Sequence, residues 1–351
     1  MAAHRSGIGT WLLSLGSAAG CRGVNGPVPR PLSMSAYWTE TLAPGSRTLP
    51  LVMGPDAHVL ADRKRRLGVR ISVCLPARDE EATIGPIVAT VRHELMERAG
   101  LVDEVIVLDD GSSDATAERA RQAGGQVHAV AEVLPDLSMG EGKGNALWKS
   151  LYVAEGDLVC FLDADLRRFE PHFVTCLLEP LLTEPGVGFV KGYYQRPLGG
   201  EPTGGGRVNE LVARPLLCAL FPELASVRQP LGGEYAGRRE LLEVVPFVEG
   251  WGVELGLLVD IADRFGIEAI AQRDLGVREH RNRSLDELAP QAMAVLLTGL
   301  RRAGVAPVEV SSALARFDQA EPEFVPVPVR ERPPMVSVPA YQAKFGRELS
   351  A

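Results

Sequence analysis

Two carboxylates close a short apolar run near the middle of the chain. Residues 156–162 read GDLVCFL, and Asp163 and Asp165 follow with one alanine between them. Because alternate side chains of an extended strand point the same way, the two carboxylates are expected to share one face. They would repel each other without a cation, and Mg²⁺ binds one or two carboxylates together with substrate phosphates. The spacing is compatible with a metal that holds a diphosphate, and helix capping by Asp is the alternative.

The overall composition is that of a globular protein with an acidic balance. The 351 residues are 46% apolar and 23% charged, and the net charge of −8 argues against nucleic acid or an anionic membrane as a partner. The five cysteines show no CxxC spacing, which predicts neither a disulfide framework nor a zinc site and favours a reducing, cytoplasmic location. No run of residues is long and apolar enough to predict a membrane span.

Short apolar runs alternate with helical periodicity along most of the chain. Strands are predicted at residues 71–76, 105–108, 127–130, 158–162, 188–191 and 267–270, and helices at 82–100, 115–123, 144–154, 171–182, 209–220 and 254–265. This alternation predicts an α/β fold with a doubly wound, mostly parallel sheet, whose ligands bind beyond the carboxyl ends of the strands. The composition predicts that residues 1–68 form a disordered or weakly structured extension, which could contain one helix. It predicts that residues 306–351 form an extended tail.

Three further polar clusters follow a predicted strand or open a predicted helix. PARDEE at residues 76–81 and LDDGSSD at 108–114 place carboxylates where a nucleoside could donate hydrogen bonds. Helix capping and turn formation are the alternative roles of those two clusters. GEGKGNAL at 140–147 combines the free backbone N–H groups of glycines before a helix with Lys143, which is typical of an anion site. A flexible loop with a solvated lysine is the alternative there.

Taken in order, the four clusters resemble the GT-A glycosyltransferases. The order is PARDEE, LDDGSSD, GKGNA and FLDADL, and the matching stretch covers residues 71–165. The resemblance implies a Rossmann-like, mostly parallel sheet with helices on both faces and a smaller C-terminal part that binds the acceptor. In that fold the first two clusters bind the nucleoside, and the D-x-D motif binds the metal and the donor diphosphate.

The second half of the chain resembles one family of these enzymes, the glucosyl-3-phosphoglycerate synthases. The segments that carry this resemblance are GGGRVNELVARP at 204–215, QPLGGEYA at 229–236, GVELG at 252–256 and GVREHRNR at 276–283. It implies a homodimer that moves glucose from UDP-glucose to 3-phosphoglycerate with retained anomeric configuration. The implied metal is Mg²⁺, with Mn²⁺ as a substitute. Residues 69–197 would form the donor-binding part, and residues 198–305 the acceptor-binding and catalytic part.

The resemblance also implies a role for each matching residue. The donor would be bound by Pro76, Ala77, Glu80, Asp110, Lys143 and Asp163. The metal would be bound by Asp163, Asp165 and His280. The acceptor would be bound by Gly206, Arg207, Asn209 and Asn282. Glu254, Asp165 and Arg207 would be the catalytic residues, with Glu254 holding the sugar hydroxyls. The family more often has Ser where Asp110 stands and Thr where Asn209 stands.

Physical chemistry supports two of these assignments without the resemblance. Three glycines before Arg207 at the start of a predicted helix form an anion-binding pattern, whose alternative is a linker with a solvated arginine. His280 lies between Arg278 and Arg281, and neighbouring cations favour the neutral imidazole that binds metals. The alternative for His280 is a partly exposed surface histidine.

Three other functions stay open at this point. A mannosyl-3-phosphoglycerate synthase that uses GDP-mannose would share the chemistry and differ in the base and sugar pockets. A polyprenyl-phosphate sugar transferase resembles the first half, but it would normally need a membrane helix or an amphipathic anchor. A nucleotide-sugar-binding protein without activity would not require the D-x-D motif, Lys143 and His280 together.

Overall fold

An eight-stranded mixed sheet forms the centre of the molecule. The computed structural model describes residues 47–49, 54–137, 140–198, 201–278, 284–305, 312–317 and 321–346. The strands of this sheet are β1 (Arg47–Leu49), β2 (Ile71–Ala77), β3 (Glu104–Asp109), β4 (Gln126–Ala129), β5 (Leu158–Phe161), β6 (Phe189–Gln195), β9 (Tyr235–Arg238) and β11 (Ile270–Val277). Their order across the sheet is β1-β11-β6-β9-β5-β2-β3-β4. All neighbours pair in parallel except β9, which runs antiparallel to both β5 and β6.

Three small two-stranded sheets and ten helices complete the described part. The small sheets pair β7 (Pro197–Leu198) with β8 (Glu201–Gly204), β10 (Phe247–Val248) with β14 (Glu331–Arg332), and β12 (Ala313–Arg316) with β13 (Glu323–Pro326). The helices are α1 (Ala57–Leu67), α2 (Ile84–Thr90), α3 (Thr116–Gln122), α4 (Gly142–Val153), α5 (His172–Thr183), α6 (Arg214–Leu220), α7 (Arg239–Leu242), α8 (Val253–Phe265), α9 (Leu285–Arg302) and α10 (Pro339–Phe345). Wider π-helical turns, Val91–Arg98 and Asn209–Ala213, extend α2 and precede α6. In the described residues, no helix combines the length and apolarity that crossing a bilayer requires.

Buried side chains cover the sheet on both faces, as the doubly wound prediction requires. Along β5, Val159 and Phe161 pack into one core region, whereas Leu158 and Cys160 pack into the other. The same alternation holds for the neighbouring strands because successive side chains leave a strand on opposite faces. Helices α4 and α8 cover the first face, and α2 and α5 cover the second. The α/β prediction is confirmed, and β1 and β9 are the strands of this sheet that the sequence pattern missed.

The parallel register brings the ends of three strands to the same edge of the sheet. Ala77, the last residue of β2, pairs with Asp109, the last residue of β3. Phe161, the last residue of β5, pairs with Cys74 of β2. The polar clusters that follow these strands therefore meet at one edge, where open α/β sheets bind ligands.

The folded structure begins before Gly68, earlier than the composition suggests. Asp56 caps α1 through a bond from the His58 N–H to its side chain (2.8 Å), and Gly68 ends the helix at φ 67°. Leu60 is buried, and Lys64 lies 2.6 Å from Asp103. The helix that the sequence allowed is thus a packed element, while residues 1–46 and 50–53 lie outside the described residues.

The C-terminal segment also differs from the expected extended tail, because residues 331–346 are packed. Tyr341 in α10 is completely buried. The indole N–H of Trp148 donates to the Pro333 carbonyl (2.7 Å). The Arg332 Nε lies 2.9 Å from Asn145 Oδ1 and 2.9 Å from Glu249 Oε1. A buried tryptophan and a buried arginine therefore hold the segment under α4, which hydrophobic periodicity alone did not reveal.

Arg239 is the polar anchor of this packing, and its removal is expected to destabilise the fold. The residue is 1% exposed, and its guanidinium donates to the carbonyls of Gly156 (2.6 Å), Leu151 (2.8 Å) and Ala154 (2.8 Å). Arg239→Met leaves these three acceptors unpaired, so it should cost about 3 kcal/mol or more in the free energy of unfolding. Urea unfolding measures this loss.

The matched control is Arg264→Met, because Arg264 is exposed and donates to a single carbonyl, that of Val244 (3.3 Å). This control should change the free energy of unfolding by about 0.5 kcal/mol or less. Equal unfolding midpoints for the two variants would contradict the anchoring role of Arg239.

Candidate active site

The loops after β2 and β3 are joined by hydrogen bonds at the ligand-binding edge. The Asp79 N–H donates to Ser112 Oγ (3.0 Å), and Asp79 Oδ1 accepts from the Ser113 N–H (2.7 Å). The Glu81 N–H donates to Asp114 Oδ2 (3.1 Å). Asp79 has a φ of 55°, a left-handed conformation in which Asp is one of the better-tolerated residues. The two acidic clusters therefore form one rigid wall.

This wall lines an open cavity of about 1280 Å³, which we call the first cavity. The six residues predicted to bind the donor all line it: Pro76, Ala77, Glu80, Asp110, Lys143 and Asp163. Burial raises the pKa of Asp110 above its usual value, although Arg78 acts in the opposite direction. The side chain therefore faces the cavity from a partly desolvated position, where a hydrogen bond to a ligand gains strength.

Asp163 and Asp165 converge on a single guanidinium. The Arg278 Nη2 lies 2.6 Å from Asp163 Oδ2 and 2.7 Å from Asp165 Oδ1. The two carboxylates therefore point to one place, but not for the predicted reason, because the strand ends at Phe161 and a turn at Ala164 and Asp165 brings them together. Arg278 directly follows β11 and was considered in the sequence only as a neighbour of His280. No local pattern places it beside residues more than a hundred positions earlier.

Lys143 joins Asp163 to Glu254 on the other side. Its Nζ lies 2.5 Å from Asp163 Oδ1 and 2.6 Å from Glu254 Oε1. Lys143 is in the first turn of α4 and Glu254 in the first turn of α8, so two helix N-termini face the site. Burial alone would lower the pKa of Lys143, but Asp163 and Glu254 outweigh it and raise the pKa well above its usual value. Lys143 is thus a permanent cation.

The charges around Asp163 keep it ionised. Burial alone would raise the pKa of Asp163, but Lys143 and Arg278 together hold it below its usual range. Arg278 is in turn paired with Glu234, whose Oε1 lies 3.3 Å from the Arg278 Nε and which is completely buried. Tyr194 donates its hydroxyl hydrogen to Glu234 Oε2 (2.5 Å) and accepts from the Arg278 Nη1 (3.1 Å).

A second open cavity, of about 840 Å³, lies beside the first. Of the residues predicted to bind the acceptor, Gly206, Arg207 and Asn209 line it, together with Glu254. His280 and Asn282 lie outside the described residues. Four residues line both cavities: Lys143, Asp163, Asp165 and Trp251. The two cavities therefore meet where the charged groups converge, and a molecule in one can react there with a molecule in the other.

Asn209 has a supporting role in this geometry. Its Oδ1 accepts from the Leu231 N–H (3.2 Å), and its amide donates to the Arg228 carbonyl (3.4 Å). Leu231 lines the second cavity. Asn209 therefore fixes the loop that forms the cavity wall, while its contact with an acceptor stays a prediction.

The residues at the junction fit a hard divalent cation that is shared with a substrate. Asp163 and Asp165 supply converging carboxylate oxygens, the ligand type that Mg²⁺ and Mn²⁺ prefer. In the described part of the chain, no cluster of three His, Cys, Asp or Glu side chains is arranged to hold a metal. A cation at this position therefore requires additional ligands such as phosphate oxygens, which is the usual arrangement for Mg²⁺ at phosphate-transfer and nucleotide sites.

Comparison with known proteins supports the glycosyltransferase family that the sequence motifs resemble, across most of the chain. The family model described as Glycosyl transferase family 2 matches residues 72–217. Glucosyl-3-phosphoglycerate synthase from Mycolicibacterium smegmatis is 50% identical over 279 residues, which cover 78% of this chain and 91% of that protein.

Solved structures agree with the sequence relatives. The crystal structure of Mycobacterium tuberculosis glucosyl-3-phosphoglycerate synthase with Mn²⁺, UDP-glucose and phosphoglyceric acid matches with a TM-score of 0.76 at 46% identity, covering 83% of this chain and 98% of that chain. The same enzyme with Mg²⁺ and UDP matches with a TM-score of 0.75 at 45% identity and the same coverage, 83% and 98%. By sequence and by fold, the chain belongs to the glucosyl-3-phosphoglycerate synthase family.

Proposed function

We propose that this protein transfers glucose from UDP-glucose to 3-phosphoglycerate, giving glucosyl-3-phosphoglycerate and UDP. The observation that carries the proposal is the junction of two cavities at Lys143, Asp163 and Asp165. One cavity offers acidic residues for a nucleoside, and the other offers arginines for a small anion. The related enzyme that was crystallised with UDP-glucose and phosphoglyceric acid supports the same pair of substrates.

In the proposed donor site, the nucleoside lies against the joined loops after β2 and β3. Glu80 and Asp110 are carboxylates that can accept hydrogen bonds from the uracil N–H or the ribose hydroxyls. Pro76 and Ala77 end strand β2 and form the apolar floor beneath the base. Lys143, fixed as a cation by its neighbours, faces the diphosphate.

In the proposed metal site, Asp163 and Asp165 bind Mg²⁺ or Mn²⁺ together with the donor diphosphate. When bound, such a cation stabilises the negative charge that develops on the leaving diphosphate. Arg278 neutralises the two carboxylates and holds them at one point. His280 is the proposed third protein ligand.

The proposed catalytic residues, Glu254, Asp165 and Arg207, surround the junction. The Glu254 carboxylate, 5% exposed and 2.6 Å from the Lys143 Nζ, can accept hydrogen bonds from sugar hydroxyls beside the reacting carbon. Arg207 opens the helical segment after three glycines, where its guanidinium and free N–H groups suit the acceptor phosphate. Lys143 lines both cavities, which supports an approach of the acceptor on the side of the leaving diphosphate. This approach retains the anomeric configuration.

The test of the function is a transfer assay with product mass measured. The enzyme is incubated with 3-phosphoglycerate, Mg²⁺ and each of UDP-glucose, ADP-glucose and GDP-mannose, and the product from UDP-glucose is analysed by NMR. We expect transfer from UDP-glucose, an α-linked product and complete loss of turnover with a chelator. Preferred use of GDP-mannose would indicate the mannosyl enzyme, and full activity without metal would contradict the site assignment.

Gly233 tests whether the position of Asp163 matters. A Cβ on Gly233 would lie 2.2 Å from Asp163 Oδ1, so Gly233→Ala must displace the carboxylate. Because a displacement of about 1 Å in a catalytic site can cost roughly 100-fold, we expect a loss of that order in kcat/KM for UDP-glucose. The control is Gly186→Ala, since a Cβ there meets no atom within 4 Å. Steady-state kinetics that are equal for both variants would contradict the assignment of Asp163.

We further propose that the protein is a cytoplasmic homodimer with the division into donor and acceptor parts given by the sequence. Phe317 directly follows β12 and is 74% exposed, and Phe324 lies in β13 and is 65% exposed. A second copy of the chain would cover these two exposed phenylalanines. Light scattering after gel filtration measures the oligomeric state.

The buried free thiols of Cys74, Cys160 and Cys176 suit the proposed reducing, cytoplasmic compartment.

A further inference from the structure

Arg196 forms part of the second cavity and was not among the residues predicted from the sequence. It follows β6 directly, and its Nη2 donates to the Tyr194 hydroxyl oxygen (2.8 Å). The glycine run lies against it: a Cβ on Gly205 would be 2.7 Å from the Arg196 Cβ, and a Cβ on Gly206 would be 3.2 Å from the Arg196 Cδ. The glycines are therefore required for Arg196 to occupy the cavity wall.

Arg196 has fewer carboxylate partners than the other cations near the junction. Lys143 is paired with Asp163 and Glu254, and Arg278 is paired with Asp163, Asp165 and Glu234. Within the described ranges, Arg196 forms no ion pair with a carboxylate, and its buried Nε–H has no acceptor. Its polar partner is the neutral Tyr194 hydroxyl. A guanidinium in this state favours a carboxylate or phosphate ligand, which can accept two parallel hydrogen bonds.

We propose that Arg196 binds the carboxylate of the acceptor and thereby selects a phosphoglycerate over a phosphorylated alcohol. The proposal rests on the proposed function and adds a specificity-determining residue to it. In 3-phosphoglycerate the carboxylate is attached to the carbon that carries the reacting hydroxyl, whereas the phosphate is on the next carbon. The carboxylate must therefore lie nearer the reaction centre than the phosphate.

The position of Arg196 matches the nearer of these two groups. Arg196 and Arg278 donate to the same Tyr194 hydroxyl, at 2.8 Å and 3.1 Å, and Arg278 contacts both Asp163 and Asp165. The Tyr194 hydroxyl oxygen thus links Arg196 to Arg278, and Arg278 contacts the two aspartates that are proposed to bind the metal. Arg207, at the opening of the helical segment, is then left for the more distant phosphate.

The test compares acceptors that lack one anionic group. Steady-state constants are measured for 3-phosphoglycerate and glycerol 3-phosphate, which lacks the carboxylate, with the wild type, Arg196→Met and Arg196→Gln. We expect both variants to raise KM for 3-phosphoglycerate by roughly 10- to 100-fold, the range for a hydrogen bond to a charged group. Their KM for glycerol 3-phosphate should change about twofold or less, as should KM for UDP-glucose, because neither lost contact involves these molecules.

The matched control is Arg228→Met. Its guanidinium lies 4.6 Å from the Tyr193 ring centre, much as that of Arg196 lies 4.9 Å from the Tyr194 ring centre, but Arg228 lines neither cavity. We expect this variant to keep wild-type constants for both acceptors. The Tm of each variant is recorded so that a loss of folded protein is recognised.

Two results would overturn the role of Arg196. An equal loss on both acceptors would assign Arg196 to the phosphate or to the structure of the wall, and unchanged constants would remove it from the site. If Arg196→Met does not fold, Arg196→Gln gives the same comparison with a polar side chain. Failure of the proposed function is distinguishable, because the wild type would then transfer glucose to neither acceptor.

Discussion

Asp163→Asn is expected to lower kcat for glucosyl transfer by roughly 10³-fold, which corresponds to about 4 kcal/mol of lost transition-state stabilisation. Asp163 is the carboxylate that contacts both Lys143 (2.5 Å) and Arg278 (2.6 Å) and points to the proposed metal position. Asparagine keeps the shape and removes the charge. The affinity for Mn²⁺, measured by calorimetry with UDP present, should fall together with kcat.

The fold should survive this substitution, because both cations keep other partners. Lys143 still contacts Glu254, and Arg278 still contacts Asp165 and Glu234. The matched control is Asp157→Asn, one residue before the start of β5, where the side chain accepts from the Arg70 N–H (2.9 Å) at the opposite end of the strand. Wild-type Mn²⁺ affinity in Asp163→Asn would rule out its role as a metal ligand.

The second large effect concerns stability. Arg278→Met is expected to lower the free energy of unfolding at pH 8 by about 3–5 kcal/mol, the cost of leaving a buried charge without its partner. The charge left behind is that of Glu234, which is 0% exposed and 3.3 Å from the Arg278 Nε. Activity should also be lost, since Asp163 and Asp165 would repel each other.

The loss should depend on pH in a defined direction. Burial raises the pKa of Glu234, and Arg278 opposes this rise, so removing the arginine raises that pKa further. A carboxyl group with a raised pKa stabilises the fold fully below its unfolded-state pKa of about 4.3 and loses that contribution as the pH rises through the folded-state value. Arg278→Met should therefore be destabilised less at pH 5 than at pH 8.

Urea unfolding between pH 5 and pH 8 measures this dependence. Arg278→Met with Glu234→Gln removes both charges and should recover most of the stability at pH 8, because the amide can still accept from the Tyr194 hydroxyl. A constant difference from the wild type over this pH range would show that Glu234 is not the source of the instability.

The sequence predicted the parts of the site that lie close together along the chain. The D-x-D pair follows a strand, Lys143 opens a helix, and Ala77 and Asp109 end neighbouring strands. Alternation of strands and helices is enough to place such residues at one edge of a sheet. This is why all six predicted donor residues line one cavity.

The sequence did not predict the residues whose roles depend on distant partners. Arg278 contacts an aspartate 115 positions earlier, and Tyr194 contacts Glu234 across 40 positions. A lone Arg or Tyr at a strand end carries no local signal for such a pairing. The reversed strand β9, Tyr235–Arg238, was missed because Gly237 and Arg238 interrupt it, so it has no apolar run like that of the equally short strand β5.

The packing of the C-terminal segment under α4 has a consequence for the order of events during synthesis. Arg332 contacts Asn145, two residues after Lys143, and Glu249, two residues before Trp251. A nascent chain that has released only its first 300 residues from the ribosome holds both cavity walls but lacks the arginine that contacts residues beside them. Since domains generally fold as units, the catalytic junction is completed only when the C-terminal segment is available. Prematurely terminated chains would therefore fold much of the sheet without acquiring a working site.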